Sequence, residues 1–216
     1  MIPTILLTGF GPFGENQSNP SQSVCQRVAQ IVPEAAYRLH TLVLPVSYRR
    51  CPEMLVEALE RLQPAAVLSL GLAASAQEIA IERFALNIAD ASLPDIDGIR
   101  REGQPIHGDG PAAYHVTLPI EAMLQALRQH QVPARISNHA GAYLCNHCLY
   151  TTCDWAAGQQ DAALAGFVHL LPATGSSDAS PGMPIERSIE VVGWLLDSVA
   201  THIAALTPGP QREEQA

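Results

Sequence analysis

The chain contains no lysine, because all twelve of its basic residues are arginine. A phosphate-binding loop of the Walker type requires a lysine, and so does any enzyme that forms a Schiff base, including those that use pyridoxal phosphate. Both classes are therefore excluded. Charged residues make up only 15% of the chain, the formal net charge is −9, and no basic cluster is present. Since binding to a phosphate backbone needs grouped cations, we expect no nucleic-acid partner.

Long apolar segments are also absent from the sequence. No run of eighteen or more apolar residues occurs, and the first residues, from Met1 to Leu7, lack a basic region and have the pattern of a buried strand. We therefore expect neither a membrane span nor a targeting segment. Five cysteines without a signal sequence favour a reducing, cytoplasmic location. There the thiols would stay free for catalysis or metal binding instead of forming a disulfide framework.

The order of the apolar patterns predicts an α/β fold. A length of 216 residues with 47% hydrophobic side chains suits one domain, which we place at residues 1–206, followed by a flexible tail at residues 207–216. Short apolar runs typical of buried strands alternate with segments of helical spacing. The predicted strands cover residues 2–8, 37–46, 65–70, 79–82, 134–137 and 164–171. The first predicted helix begins near Ser21, and the others cover residues 48–62, 119–127, 145–157 and 185–203.

This alternation predicts a mainly parallel sheet with helices on both faces. Residues 90–118 contain many prolines, glycines and aspartates, so we expect loops or a hairpin there. In such folds, functional residues collect at the carboxyl ends of the strands.

Cys145 stands at the start of a predicted helix, where a catalytic thiol would be activated. Unpaired amides and the helix dipole at that position favour a thiolate anion. The backbone N–H of the same residue would point toward a developing oxyanion, so one position supplies both nucleophile and charge stabilisation. The alternative is a buried structural thiol, because free cysteine is among the most buried residue types.

His169 and Glu82 are the candidate partners of this thiol. His169 lies near the end of the next predicted strand, where a base could reach a thiol at a neighbouring strand end. Glu82 is a carboxylate among apolar neighbours, and a histidine could be the partner that it needs if it is buried. The residues alone leave two alternatives open: an ordinary histidine among the eight in the chain, and a Glu82 that pairs with Arg83 or lies at a solvated edge.

The glycine-rich loop after the first strand has the letters of a dinucleotide-binding motif, Gly9-x-Gly11-x-x-Gly14. Pro12 and residues 16–20 do not open a helix there, however, and residues 37–48 contain no acidic residue to bind a ribose. Nucleotide binding is therefore a weaker hypothesis. Phe10 and Phe13 in this loop could form an apolar wall for a ligand, or simply pack on the core.

Cys145 and Cys148 form a CxxC pair on one face of the predicted helix, which would suit thiol–disulfide exchange. We rank this hypothesis below hydrolysis. A zinc site is not expected, because Cys153, His139 and His147 do not complete a paired CxxC pattern.

Several blocks of sequence carry a more specific signal. The first block is Thr8-Gly9-Phe10-Gly11-Pro12-Phe13 with Asn19-Pro20-Ser21, and the second is the segment from Gly71 to Asn87, which contains Glu82-Arg83. The third is Ala140-Gly141-Ala142-Tyr143-Leu144-Cys145-Asn146-His147, preceded by Ser137 and followed by Tyr150. The fourth is Phe167-Val168-His169-Leu170-Leu171-Pro172. Together, over nearly the whole chain, they resemble the pyroglutamyl peptidase I (pyrrolidone-carboxylate peptidase) family of cysteine peptidases.

The resemblance implies an α/β/α sandwich around a twisted, mostly parallel (mixed) sheet, and a Glu-Cys-His triad. In that triad Cys145 is the nucleophile, His169 is the general base and later the acid, and Glu82 orients the histidine. The resemblance also implies a lactam pocket with these substrate-binding residues: Phe10, Phe13, Tyr143 and Leu144 as walls and Asn19 as a polar support.

The activity implied by the resemblance is removal of an N-terminal pyroglutamyl residue from small peptides through a thioester. It needs no metal and no organic cofactor, and the enzyme would be a homodimer or homotetramer. Two positions depart from the family pattern. Leu72 stands where the family usually has glutamine, which would remove a substrate hydrogen bond. Ser92 stands where it usually has an arginine that assists the oxyanion, so we expect lower activity or altered specificity.

Overall fold

The computed structural model describes residues 2–14, 19–31, 36–175 and 181–206. The predicted tail at residues 207–216 lies outside the described residues. The described strands are β1 (Thr4–Phe10), β2 (Arg38–Leu44), β3 (Ala66–Leu72), β4 (Ile79–Leu86), β5 (Ala89–Ala91), β6 (Arg101–Gln104), β7 (Ala113–His115), β8 (Ala134–His139) and β9 (Leu164–Leu170). The described helices are α1 (Pro20–Val28), α2 (Arg50–Leu62), α3 (Ile120–Gln129), α4 (Leu144–Ala157) and α5 (Ile185–Leu206).

Seven of these strands form one mixed sheet. Its order is β2-β1-β3-β9-β4-β7, and β8 also pairs with β4. The first four strands in that order are mutually parallel. Strand β4 runs antiparallel to β9, with β8 parallel to β4 and β7 antiparallel to it. The sheet is therefore mostly parallel but changes direction between β9 and β4.

Helices cover both faces of the sheet. Helices α1, α3 and α5 contact one another or the strands on one side, whereas α2 and α4 pack together on the other. This double cover explains the continuous apolar runs of β1, β3 and β9, whose residues are almost all buried, because neither face of these strands meets water. The predicted α/β/α sandwich is confirmed.

Helix α5 is long and apolar enough, by length and composition alone, to cross a membrane. One of its sides is buried in the core, including Val191, Val192, Leu195 and Leu196. The helix also contacts α1 and α3. These contacts are those of a core helix in a layered α/β domain.

The region at residues 90–118 holds a small hairpin, as predicted. Strands β5 and β6 pair antiparallel outside the main sheet, while β7 joins the sheet beside β4. Between β5 and β6, the buried Asp95 carboxylate fixes the loop, because Oδ1 accepts hydrogen bonds from the backbone N–H groups of Asp97 (2.9 Å) and Ile99 (2.8 Å).

Candidate active site

An imidazole and a carboxylate meet where β9 pairs with β4. Nδ1 of His169, one residue before the end of β9, lies 2.7 Å from Oε1 of Glu82 on β4. Only 12% of the His169 side chain and 2% of the Glu82 side chain are exposed. A carboxylate this deeply buried needs a donor, so Nδ1–H of the ring donates to Oε1. Nε2 is then free to face another group.

The sulfur of Cys145 is close enough to the His169 ring to raise the pKa of that ring through its charge and a hydrogen bond. Cys145 is in the first turn of α4, and Gly71 on β3 is the register partner of His169. A Cβ atom added at Gly71 would lie 3.1 Å from Sγ of Cys145 and 2.7 Å from Cζ of Phe167. Glycine at position 71 therefore leaves the space that the sulfur occupies.

The route by which the thiol reaches the base differs from the sequence prediction. We expected a thiol and a base at neighbouring strand ends, but β4 lies between β8 and β9 and is antiparallel to β9. The connection from β8 to α4 turns at Gly141, whose φ of +80° favours glycine. In the same connection, the carbonyl of Ala142 accepts a hydrogen bond of 2.9 Å from the N–H of Asp90. After this turn, α4 packs against β3, β4 and β9, so its first residues lie beside all three strands.

The charges of this group favour a protonated imidazole. Burial alone would lower the pKa of His169, but the charge and hydrogen bond of Cys145, followed by the hydrogen bond and charge of Glu82, raise that pKa to about 10. An imidazolium between a sulfur and a carboxylate stabilises the thiolate form of the sulfur. The arrangement can therefore support nucleophilic attack and then proton donation.

A narrow pocket opens beside the sulfur, with mainly apolar walls. It brings together all five predicted pocket residues, the candidate nucleophile Cys145, and two residues that were not predicted to line it. The lining is Phe10, Phe13, Asn19, Val46, Leu72, Tyr143, Leu144 and Cys145. The rings of Phe13 and Tyr143 lie 6.4 Å apart between centroids. Leu72, identified in the sequence only as a departure from the family pattern, adds a further apolar side chain to this wall.

Asn19 contributes to the pocket by shaping its backbone. Asn19 is the N-cap residue of α1, and its Oδ1 accepts hydrogen bonds from the N–H (3.0 Å) and hydroxyl (2.8 Å) of Ser21. Its Nδ2 donates to the carbonyl of Gly11 at 3.2 Å. The side chain thereby ties the glycine-rich loop to α1.

Sequence reasoning missed the residues that support the Tyr143 wall. The hydroxyl of Tyr143 donates to the carbonyl of Pro94 (3.0 Å), and its ring packs edge-on against Tyr48, with centroids 5.7 Å apart. Oδ2 of Asp95 in turn accepts a hydrogen bond of 2.8 Å from Tyr48 N–H. Burial and then nearby acidic groups raise the pKa of Tyr143 to about 12, which keeps the hydroxyl protonated. The Pro94-Asp95 pair signals a turn, but nothing in the sequence links that turn to Tyr143. Ser92 lies exposed at the start of the same loop.

The remaining sequence motifs have structural explanations. A Cβ atom on Gly9 would lie 2.4 Å from the backbone oxygen of Ser21, so the glycine allows α1 to approach β1 closely. Cys148 is fully buried, and its thiol contacts Ser69 Oγ (3.7 Å) and the thiol of Cys51. Among the described residues, no three His, Cys, Asp or Glu side chains are grouped so that they could hold a metal ion.

Comparisons with known proteins identify one family. A family model described as Pyroglutamyl peptidase matches residues 3–201. Pyrrolidone-carboxylate peptidases from Brevibacillus brevis and Pyrococcus furiosus are each 34% identical to this chain, over 93% and 87% of its length and 94% and 93% of their own. The neighbours give no support to the redox or nucleotide-binding hypotheses.

Solved structures show the same fold. Pyrrolidone carboxyl peptidase from Thermococcus litoralis superimposes with a TM-score of 0.90 at 30% identity, covering 95% of this chain and 97% of that structure. The enzyme from Pyrococcus furiosus gives a TM-score of 0.88 at 31% identity, covering 93% and 99%. The chain belongs to the pyroglutamyl peptidase family and is a cysteine-type hydrolase.

Proposed function

We propose that this enzyme removes an N-terminal pyroglutamyl residue from small peptides, with Cys145 as nucleophile, His169 as general acid and base, and Glu82 as the residue that orients His169. The observation that carries the proposal is the contact of the Cys145 sulfur with an imidazole whose Nδ1 is 2.7 Å from a buried carboxylate. The apolar pocket beside the same sulfur supports the choice of substrate.

In the first half of the reaction, the Cys145 thiolate attacks the carbonyl carbon of the pyroglutamyl residue. The first helical hydrogen bond of α4 runs from His147 N–H to the Tyr143 carbonyl, so the N–H of Cys145 precedes the ladder and can face the oxyanion. As the intermediate collapses, the C–N bond breaks, His169 gives its proton to the leaving amine, and a thioester remains on the sulfur.

In the second half, water attacks the thioester. His169, now neutral, accepts a proton from that water, and cleavage of the C–S bond returns the thiolate and releases pyroglutamate. The hydrogen bond to Glu82 holds the ring in one tautomer through both halves, because Nδ1 stays protonated toward Oε1.

The pocket favours a neutral lactam over an ordinary amino terminus. A free amino terminus is an ammonium at neutral pH, and its transfer between Phe10, Phe13 and Leu72 would cost its hydration without a charged partner. Pyroglutamate has no basic amine and pays no such penalty, so the pocket discriminates through the cost of desolvation.

We extend the proposal to the setting of the enzyme. It acts as one catalytic domain over residues 1–206 in the cytoplasm, as a homodimer or homotetramer, and without a cofactor. The five free cysteines support a reducing compartment, since Cys25, Cys51 and Cys148 are fully buried thiols with no disulfide partner. Sedimentation of the purified chain would measure its assembly state.

Cleavage of a fluorogenic amide of pyroglutamate tests the proposal. The wild-type chain should release the fluorophore, and Cys145→Ser should lower kcat by about a thousandfold or more, because an unactivated hydroxyl replaces the thiolate. Cys153→Ala, in the same helix but outside the pocket, is the matched control and should keep its turnover. Cleavage by Cys145→Ser at the wild-type rate would refute the assigned nucleophile.

A further inference from the structure

Asn146 follows the nucleophile in the chain and is a fully buried polar residue that the reaction above does not use. Its amide makes three hydrogen bonds to the end of β4. Oδ1 accepts from Leu86 N–H at 2.9 Å, while Nδ2 donates to the carbonyls of Leu86 (2.8 Å) and Ile88 (3.0 Å). The first turn of α4 is thus bonded to the strand that carries Glu82.

The Asn146 amide acts where β4 has lost its parallel neighbour. The last register pair between β4 and β8 is Phe84 with His139, two residues before Leu86. From that point the Asn146 side chain supplies a donor and an acceptor to β4, as an adjacent strand would. A primary amide does both, whereas a carboxylate cannot donate and an alanine offers neither group.

We propose that Asn146 is a positioning residue that fixes the sulfur of Cys145 against the His169–Glu82 pair. This inference rests on the proposed function, since it assigns a role in the same site. The Asn146 amide joins α4 to β4. Cys145, the residue before Asn146, lies on α4, and Glu82, four positions before Leu86, lies on β4. A shift of α4 relative to β4 would therefore change the distance between sulfur and imidazole, while the pocket walls that α4 does not carry, Phe10, Phe13 and Leu72, would stay in place.

Asn87 provides a matched control for this role. It lies one residue beyond Leu86, and its side chain is also fully engaged: Oδ1 accepts from the N–H groups of Ile106 (2.8 Å) and His107 (3.0 Å), and Nδ2 donates to His107 and Gly110 carbonyls. These bonds hold a loop that does not line the pocket. Loss of the Asn87 amide should therefore cost stability without moving the sulfur.

The test compares Asn146→Ala, Asn146→Asp and Asn87→Ala in the full chain. Three quantities are measured: thermal stability, kcat and KM on the fluorogenic amide, and the rate of Cys145 alkylation by iodoacetamide as a function of pH. For both Asn146 variants we expect kcat and the alkylation rate at neutral pH to fall about ten- to a hundredfold, because small displacements of reacting groups are costly. KM should change less than kcat, by about threefold or less, since Phe10, Phe13 and Leu72 keep their places in the pocket. Asn87→Ala should keep both rates within about threefold of wild type.

The alternative is a purely structural role for Asn146. It would be established if either folded Asn146 variant kept kcat and the alkylation rate of wild type. It would also be established if Asn87→Ala, at a similar loss of stability, lowered kcat and the alkylation rate as much as the Asn146 variants do. Asn146→Asp, which has nearly the shape of asparagine, decides the question if Asn146→Ala does not fold. Alkylation requires no substrate. A wild-type chain that is alkylated at Cys145 but cleaves no pyroglutamyl amide would thus refute the proposed function while leaving the role of Asn146 testable.

Discussion

Two thiols on helix α4 lie three residues apart in opposite environments. Cys145 is partly exposed in the first turn, borders the pocket and contacts the His169 ring. Cys148 is fully buried one turn later and contacts Ser69 and the thiol of Cys51. The hydrogen bond with Cys51 lowers the pKa of Cys148, but a sulfur with no exposed surface cannot reach a substrate. The comparison shows that the neighbours of a cysteine, more than its place in a motif, decide whether it can react.

Two buried or nearly buried histidines, His169 and His147, show the same dependence on their neighbours. His169 is held protonated by Cys145 and Glu82, as the rise of its pKa to about 10 indicates. His147, two residues after the nucleophile, packs on the ring of Tyr48, and burial followed by Arg101 lowers its pKa to about 4. A neutral imidazole without a carboxylate partner is poorly suited to give a proton to a leaving amine.

Glu82→Gln should have the largest effect on the reactivity that distinguishes Cys145 from Cys148. We expect kcat to fall about a hundredfold, because the imidazolium loses the charge that orients and stabilises it. In the wild type, activity should be lost as the pH rises through about 10, where His169 gives up its proton. Removal of a negative neighbour lowers the pKa of His169, so the alkaline limb of the kcat–pH profile should move to lower pH. An unchanged alkaline limb would show that Glu82 does not set the charge of His169.

Gly71→Ala should have a smaller effect that acts on the position of the sulfur. The new methyl group would lie 3.1 Å from Sγ of Cys145 and 2.7 Å from Phe167, so one of them must move. We expect a loss of about tenfold in kcat and about 1–3 kcal/mol of stability from overpacking.

Gly193→Ala is the control for this substitution, because a Cβ atom at that position in α5 meets open space. There the change should raise stability by up to about 1 kcal/mol through helix propensity, with full activity. Equal activity of Gly71→Ala and wild type would mean that the space beside the sulfur is not needed. Kinetics and thermal unfolding measure both variants.

Cys148→Ala should have the smallest effect on turnover. We expect kcat within about threefold of wild type and a loss of about 1–2 kcal/mol in the free energy of unfolding, because a buried sulfur leaves a small cavity. A thiol–disulfide protein that used Cys145 and Cys148 would instead lose its function. Loss of peptidase turnover in a folded Cys148→Ala variant would therefore contradict the contrast between the two thiols.

Local patterns in the sequence were sufficient for most of the fold. The apolar runs of β1, β3 and β9, alternating with segments of helical spacing, predicted a sheet covered by helices on both faces, since these signals depend on nearby residues. The reversed direction of β4 was not predicted, because strand direction depends on long-range pairing such as that of Ala80 with His169.

The candidate site was predicted by resemblance more than by residue chemistry. The helix start made Cys145 a candidate nucleophile, with a structural thiol as its alternative. His169 and Glu82 also had ordinary alternatives until the family motifs were considered. The supports of the site, Asp95 and Asn146, were not identified. Their hydrogen bonds join segments 47 and 60 residues apart in the chain, and no local pattern reports such a contact.

Trapping of the acyl-enzyme tests the central claim most directly. The enzyme is mixed with a pyroglutamyl amide, quenched in acid during turnover and digested, and the modified peptide is identified by mass spectrometry. We predict a pyroglutamyl group attached to the sulfur of Cys145, with none on Cys148 or any other cysteine. An acyl group on a different residue would contradict the account. Turnover by Cys145→Ser without any acyl group on the protein would contradict it as well.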